Sequence, residues 1–184
     1  MTAAQRGSIL AAMTAQFHPP AGAAAPHPPL HPDVLPLAGL IGTWRGEGVG
    51  EYPTITPFRY GEEVTFRSTG KPFLAYEQRT WAIDDGRLLH SEAGFWRVKP
   101  DGWVEVVLAH PTGIVEVSEG SLDGGRVELS STTVAGTRTA KEVAALHRDI
   151  HLGDDVLTYA LSMAAVGQPL QRHLTAELRR VPPG

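Results

Sequence analysis

Histidine is the residue type through which this chain could bind a metal ion or a metal-containing cofactor. The sequence contains eight histidines and no cysteine. The lack of cysteine excludes disulfides, zinc–thiolate sites, iron–sulfur clusters and every other cofactor that is held by a thiolate. Among the remaining metal ligands we consider imidazole nitrogen first, and the surroundings of each histidine decide which of them could serve.

Five of the histidines are weak candidates. His18, His27 and His31 lie in a proline-rich segment, where they could capture a metal only at a large cost in chain entropy. His147 and His151 are four residues apart, which would suit a metal pair on a helix. In a strand they share a face but lie about 13 Å apart, too far to chelate one ion. We interpret this pair as solvated or structural.

The remaining three histidines lie in or beside predicted strands. His90 is expected to be hydrogen-bonded within its strand, and His110 precedes a hairpin and is expected to fix that turn. His173 opens the last predicted strand. The residues that alternate with it onto one face are polar: Gln171, Thr175, Glu177. From the residues alone, His173 is therefore an ordinary strand histidine, unless a bulge near Pro169 redirects its side chain.

A glycine-rich strand is the second unusual feature. Gly42, Trp44, Gly46, Gly48 and Gly50 are two apart, so a strand places all five on one face. Glycine weakens a strand and indicates either a sharp bend or the close approach of another group. Two interpretations remain open: the strand bends while Trp44 fills one end of a barrel, or a flat ligand or a neighbouring loop lies against the bare face.

The elements that must position these residues are β-strands. From residue 34 onward, segments rich in Val, Thr, Tyr, Phe and Trp alternate with Gly, Asp and Pro turns at roughly 8–12-residue spacing. The predicted strands are 43–50, 61–69, 73–83, 87–98, 103–110, 113–120, 125–134, 140–151, 155–164 and 168–181. About ten strands joined by tight turns predict an all-β fold, an up-and-down antiparallel barrel that can enclose one small ligand.

The first 33 residues differ from the rest. They are rich in Ala and Pro and predict a flexible arm over 1–33, followed by a barrel domain over 34–184. The net charge is −4, and no stretch concentrates Lys and Arg, which argues against nucleic acid or an anionic membrane as a partner. The acidic pairs are predicted to be turn or solvated charges: Glu62–Glu63, Asp84–Asp85, Asp154–Asp155. No apolar run approaches the ~20 residues that span a bilayer, so the expected location is cytoplasmic.

A family resemblance rests on a series of motifs in unbroken order over roughly residues 37–180. The motifs are Gly42-x-Trp44-x-Gly46-x-Gly48, Tyr52-Pro53-Thr54-Ile55, Gly70-Lys71-Pro72-Phe73-Leu74, Leu89-His90-Ser91-Glu92, Leu108-Ala109-His110-Pro111, Thr139-Ala140-Lys141-Glu142-Val143, Val166-Gly167-Gln168-Pro169-Leu170 and His173-Leu174. In these motifs the chain resembles the nitrobindins, a family of heme-binding proteins that are also described as peroxynitrite isomerases.

The resemblance implies a ten-stranded barrel, similar to lipocalins and fatty-acid-binding proteins, that holds one ferric heme b per chain. His173 falls at the position of the axial iron ligand, although its strand phase argues against an apolar pocket. Lys141 falls at the position of the family's second heme contact, where it would pair with a propionate carboxylate. The alternative is a solvated lysine at the barrel rim. Thr54 matches a residue near the porphyrin, with a turn cap as the alternative. Gly42, Trp44, Gly46 and Gly48 would let the ring approach the strand.

The implied function is isomerisation of peroxynitrite to nitrate, together with reversible binding of nitric oxide. Two alternatives stay open: a barrel that stores or carries heme, nitric oxide or another apolar molecule without turnover, and a sensor that signals through its N-terminal arm. The expected partners are small molecules rather than nucleic acid or membrane. The sequence leaves the oligomeric state open, with a homodimer as one option.

Overall fold

A computed structural model of the chain describes residues 28–182. Ten antiparallel strands form a closed barrel in which each strand pairs with its neighbours in the chain and the first pairs with the last. The strands are β1 (Gly42–Tyr52), β2 (Ile55–Ser68), β3 (Leu74–Ala82), β4 (Leu88–Val98), β5 (Trp103–His110), β6 (Ile114–Asp123), β7 (Arg126–Gly136), β8 (Val143–Leu152), β9 (Val156–Ala165) and β10 (Gln171–Arg180). The predicted up-and-down barrel is confirmed.

The predicted strand boundaries agree with the structure within three residues, except at the start of β2. This strand begins at Ile55, six residues earlier than expected, and it contains Pro57. Proline lacks the N–H that a ladder needs, so it is confined to edges and bulges. Here it lies beside the register shift between Gly50 and Tyr52, where the β1–β2 pairing is already interrupted.

One end of the barrel is closed by a 3₁₀ helix over Pro32–Leu40, which the sequence did not predict. Its Val34, Leu37 and Leu40 are buried against the core. The fully buried Trp44 donates its indole N–H to the Leu40 carbonyl at 2.8 Å. These contacts seal the end of the barrel from which β1 starts.

Arg180 fastens this cap to the last strand. Its guanidinium stacks 4.0 Å from the centre of the Trp44 ring and donates to the carbonyls of Gly39 and Ile41, each at 2.7 Å. Among the residues that the structure describes, no helix has the length and apolar character needed to cross a membrane.

The glycine face of β1 is filled by neighbouring protein. A Cβ on Gly46 would lie 2.1 Å from the Glu177 carbonyl oxygen of β10, and one on Gly48 would lie 2.3 Å from the Tyr60 ring. Gly50 is covered in the same way by the ring of Phe58. The glycines are therefore needed for close packing between strands and with aromatic side chains.

The structure thus corrects the expectation that this face contacts a ligand. In the described part of the chain, the cavity wall contains none of the four residues of the motif: Gly42, Trp44, Gly46, Gly48. Trp44 instead fills the closed end of the barrel, which was the other interpretation of the motif. The glycine spacing is explained by close packing between strands. Gly48 and Gly50 leave room for the rings of Tyr60 and Phe58, and these two rings line the cavity.

Candidate functional site

The interior cavity has a volume of about 680 Å³ and lies toward the end of the barrel opposite the 3₁₀ cap. Its deeper wall consists of inward-facing strand residues, including an alternating set on β9: Leu157, Tyr159, Leu161, Met163. Its mouth is formed by turns and strand ends that carry Ile55, Leu89 and Val166, and these apolar side chains are exposed. A largely apolar cavity with an apolar rim is suited to a ligand with a broad apolar surface.

A β-bulge brings His173 to the cavity wall. In the pairing of β10 with β9, Arg172 lies opposite Ser162 and Leu174 lies opposite Leu161, so His173 has no partner. The extra residue changes the phase of the strand, and both His173 and Leu174 line the cavity. The sequence identified a bulge as the condition for His173 to face inward, and the structure contains it.

The His173 ring is oriented by its neighbours. Its Nδ1 lies 3.0 Å from the carbonyl oxygen of Glu51, which can only accept a hydrogen bond. In the neutral ring the proton is then on Nδ1, and Nε2 keeps the lone pair that a metal would need. The ring also packs edge-on against Tyr52, with 5.2 Å between ring centres.

Tyr52 is a supporting residue that the sequence did not single out. Its buried hydroxyl accepts the backbone N–H of Ala165 at 2.9 Å and lies 3.2 Å from the carbonyls of Met163 and Ala165. The end of β1 is thereby tied to the end of β9, and the face against which His173 packs is fixed. Its place in the Tyr52-Pro53-Thr54-Ile55 motif was the sequence signal for this residue, but the motif did not indicate this role.

Lys141 and Thr54 lie at the mouth of the same cavity. Thr54 is in the turn between β1 and β2, and Lys141 is in the segment before β8. Both are exposed and both line the cavity. The fold thus brings three predicted site residues from distant parts of the chain, His173 included, to one cavity.

A buried charged cluster lies deeper on the cavity wall. The Arg148 guanidinium donates to Glu116 Oε1 and lies 3.4 Å from Glu92 Oε2, and all three side chains are at most 7% exposed. The Tyr76 hydroxyl donates to Glu92 Oε1 at 2.7 Å. Burial alone would raise the pKa of Glu92, but Arg148 holds that pKa well below its usual range, so the carboxylate stays charged.

A second polar group is centred on Glu62. Its Oε1 accepts from Gln78 Nε2 at 2.9 Å and its Oε2 accepts from the Tyr159 hydroxyl at 2.8 Å. Tyr159 is in turn 2.8 Å from the Tyr60 hydroxyl. The prediction of a solvated Glu62–Glu63 pair is wrong for Glu62, which is 1% exposed. Glu63 lies on the outer wall, where its side chain is 15% exposed and pairs with Arg45 and Arg79.

Burial, opposed by the hydrogen bonds from Gln78 and Tyr159, raises the pKa of Glu62 to about 7. The folded chain therefore keeps this proton up to about pH 7, whereas the unfolded chain releases it near 4.5. The folded state binds more protons between these values, so stability falls as pH rises through them. We expect the free energy of unfolding of wild type, relative to Glu62→Gln, to fall by about 3 kcal/mol between pH 4.5 and 8 in urea titrations.

Glu63→Gln is the matched control for this prediction. Burial would raise the pKa of Glu63, but Arg45 and Arg79 lower it. The contribution of Glu63 to the free energy of unfolding is therefore lost as pH falls, whereas that of Glu62 is lost as pH rises. A wild-type to Glu62→Gln difference that stays constant from pH 4.5 to 8 would show that Glu62 is hydrated rather than buried.

The other described histidines lie at three places in the fold. His90 Nε2 and His110 Nδ1 lie 3.2 Å apart on the cavity wall. His147 and His151 lie on β8 beside Ser130 Oγ at 3.1 Å and Asp149 Oδ1 at 3.2 Å, outside the cavity wall. His31 caps the 3₁₀ helix, where its Nδ1 accepts the N–H of Asp33. The predictions for His18 and His27 concern positions outside the described residues.

A closed antiparallel barrel with an apolar cavity and a histidine on its wall is the architecture of a small-ligand-binding barrel protein. Residues 33–180 match the family model described as the THAP4-like, heme-binding beta-barrel domain. The chain belongs to this family, which confirms the resemblance seen in the sequence.

Individual relatives agree with this assignment. Peroxynitrite isomerase 2 of Mycobacterium ulcerans is 55% identical over 155 residues, covering 82% of this chain and 96% of that protein. Peroxynitrite isomerase of Nocardia farcinica is 52% identical over 155 residues, covering 82% and 92%. The crystal structure of Rv2717c from M. tuberculosis matches with a TM-score of 0.78 and 49% identity, covering 83% of this chain and 99% of that chain.

Proposed function

We propose that this chain binds one ferric heme b through His173 and isomerises peroxynitrite to nitrate. The observation that carries the proposal is the bulged His173, which lines the cavity and whose Nδ1 is hydrogen-bonded to the Glu51 carbonyl. Membership of a heme-binding family and similarity to proteins named peroxynitrite isomerase support it.

The residues of the cavity fit a heme. The volume of about 680 Å³ lies within the usual ~300–1,000 Å³ range for small-molecule sites. Heme is a flat apolar ring with carboxylates along one edge, so it needs an apolar cavity that opens to a polar rim. Phe58, Leu161 and Leu174 supply apolar wall, and Lys141 supplies a cation at the mouth.

Each site residue has a distinct role in this proposal. His173 would hold the iron through Nε2, while the Glu51 carbonyl keeps the proton on Nδ1 and fixes the ring. Lys141 would pair with a propionate carboxylate. Because Lys141 is exposed, this ion pair would contribute only modestly to the affinity for heme. Thr54 would contact the ring edge at the mouth.

When bound, ferric heme supplies a Lewis-acidic iron for isomerising peroxynitrite and for holding nitric oxide reversibly. Peroxynitrite and nitrate contain the same atoms and carry the same charge, so the reaction needs neither an external reductant nor a proton donor. The chain's own contribution is to orient His173, to admit small anions at the rim and to surround the site with apolar side chains that limit water.

Stopped-flow measurement of peroxynitrite decay, with quantification of nitrate, tests the catalytic function. We expect the hemin-loaded chain to accelerate decay and to raise the nitrate yield above that obtained with the apo chain or with the same concentration of free hemin. Reversible binding of nitric oxide is tested by adding nitric oxide to the hemin-loaded chain. We expect a shift of the Soret band that is reversed when the gas is removed under argon. Hemin binding without faster decay would favour the non-catalytic alternative, a barrel that stores, carries or senses heme or nitric oxide.

Other features remain predictions. They include the cytoplasmic location, the option of a homodimer and the division into an arm over 1–33 and a barrel over 34–184. The structure describes only the last part of that arm, in which Leu30 packs against the core and the 3₁₀ helix begins at Pro32.

A further inference from the structure

Three side chains that the proposed function does not use converge on the cavity wall. His90 and Glu92 are two residues apart on β4, so they share its inward face, and His110 ends the adjacent strand β5. The side chains of Glu92 and His110 are 7% and 8% exposed, whereas that of His90 is 35% exposed. We propose that these three residues form a second metal site, for a divalent transition-metal ion such as Zn²⁺.

The distances between the three candidate ligand atoms suit one ion. His90 Nε2 lies 3.2 Å from His110 Nδ1, which lies 3.3 Å from Glu92 Oε2. The third edge, from His90 Nε2 to Glu92 Oε2, is 3.9 Å. The point equidistant from all three atoms is about 2.0 Å from each, which is the length of a zinc–nitrogen or zinc–oxygen bond.

Glu116 orients His110 for this role. The Oε2 atom of Glu116 lies 3.6 Å from His110 Nε2, and both atoms are buried without a hydrogen-bond partner among the described residues. Glu116 is 0% exposed, and its other oxygen is taken by Arg148 and Ser118. If these two atoms move slightly closer, the His110 Nε2–H donates to Glu116 Oε2, and Nδ1 is left as the metal ligand. This is the carboxylate–histidine–metal arrangement of many zinc sites.

The charges around the cluster favour a cation. Glu92 and Glu116 contribute two negative charges, and Arg148 contributes one positive charge to the same group. The group therefore has a net charge of minus one when the histidines are neutral. Binding of a divalent ion would change this to plus one, with both carboxylates paired to a cation. Tyr76 occupies Glu92 Oε1, so Oε2 is the oxygen left for a metal, shared with Arg148.

The ligand set suits a divalent transition-metal ion. Zn²⁺ accepts two imidazoles and one carboxylate, and Fe²⁺, Co²⁺ and Cu²⁺ also accept such ligands. Three protein ligands leave a fourth coordination position for water or a small anion, as in catalytic zinc sites. The site is separate from His173, which lies on β10 and is not part of this cluster.

Titration of the full chain with Co²⁺ tests the site, because Co²⁺ bound by nitrogen and oxygen in a four-coordinate site gives visible d–d bands. We expect one equivalent to bind and Zn²⁺ to displace it. His90→Ala and His110→Ala should each abolish the bands, and Glu116→Gln should weaken binding about 10- to 100-fold. His90 is partly exposed, so His90→Ala tests the ligand even if His110→Ala folds poorly.

The double variant His147→Ala/His151→Ala is the matched control, and it should bind Co²⁺ like wild type because these residues are outside the cluster. His173→Ala should also keep the bands, which separates this site from the proposed heme ligand. Absence of bands in folded wild type, or bands that survive His90→Ala, would overturn the proposal. Either result would leave hemin binding through His173 unaffected.

Discussion

His173→Ala is expected to abolish the hemin Soret band that marks imidazole ligation and to weaken hemin binding at least about tenfold, or about 1.4 kcal/mol. The physical reason is the loss of the nitrogen donor that the β10 bulge and the Glu51 carbonyl hold at the cavity wall. The remaining apolar wall should still take up hemin weakly. Hemin titration followed at the Soret band, for wild type and variant at the same ionic strength, provides the measurement.

Two further variants separate ligation from a structural effect. His147→Ala removes a histidine of β8 that lies outside the cavity wall and should leave the Soret band unchanged. His173→Gly leaves space for a free imidazole, so added imidazole should restore the wild-type spectrum if His173 acts as a ligand. Identical Soret spectra for wild type and His173→Ala would contradict the assignment.

The barrel itself could be predicted from the sequence because its signals are local. Turn residues separate the strands, and alternation on β9 groups Leu157, Tyr159, Leu161 and Met163 on one face, which lines the cavity in the structure. The 3₁₀ cap was missed because it lacks such a period and contains Pro36. Short helices of this kind are held by tertiary contacts, here Trp44 and Arg180, rather than by their own sequence.

The position of His173 could not be derived from alternation. One extra residue reverses the phase of every side chain that precedes it on the strand, and nothing in the residues from Gln171 to Leu174 marks which one is extra. Only the comparison of motifs pointed to His173. The structure accounts for this, because the bulge lets two successive residues, His173 and Leu174, line the same cavity.

The buried charges were missed for a different reason. A charged residue in an alternating strand is assigned to solvent by default, since isolated buried charge is very costly. Yet Arg148 alternates with Leu146 and Ile150 on the inward face of β8, and all three are buried. The available signal was that Arg148 alternates with apolar residues on the same face. Its burial depends on Glu92 of β4 and Glu116 of β6, and only the fold shows that these carboxylates lie beside it.

Arg148→Met is expected to destabilise the chain by about 3–5 kcal/mol at pH 7, because it leaves Glu92 and Glu116 buried without a counter-ion. For a chain of this length the loss corresponds to a decrease in Tm of about 10 °C. Methionine keeps most of the side-chain volume, so the change reports charge rather than a cavity. The cost should shrink at low pH, where the two carboxyls can take up protons in the variant.

Arg126→Met is the matched control, since Arg126 makes a two-point pair with Asp149 at 2.8 and 2.9 Å on the exposed outer wall. An exposed pair contributes about 0–1 kcal/mol, so this variant should stay close to wild type in urea unfolding. Adding Glu92→Gln and Glu116→Gln to Arg148→Met should recover much of the lost stability, because neutral amides remove the uncompensated charge. If Arg148→Met alone unfolds like Arg126→Met, the two carboxyls must be hydrated or already protonated in the folded barrel, and the buried ion cluster would not stabilise the cavity wall.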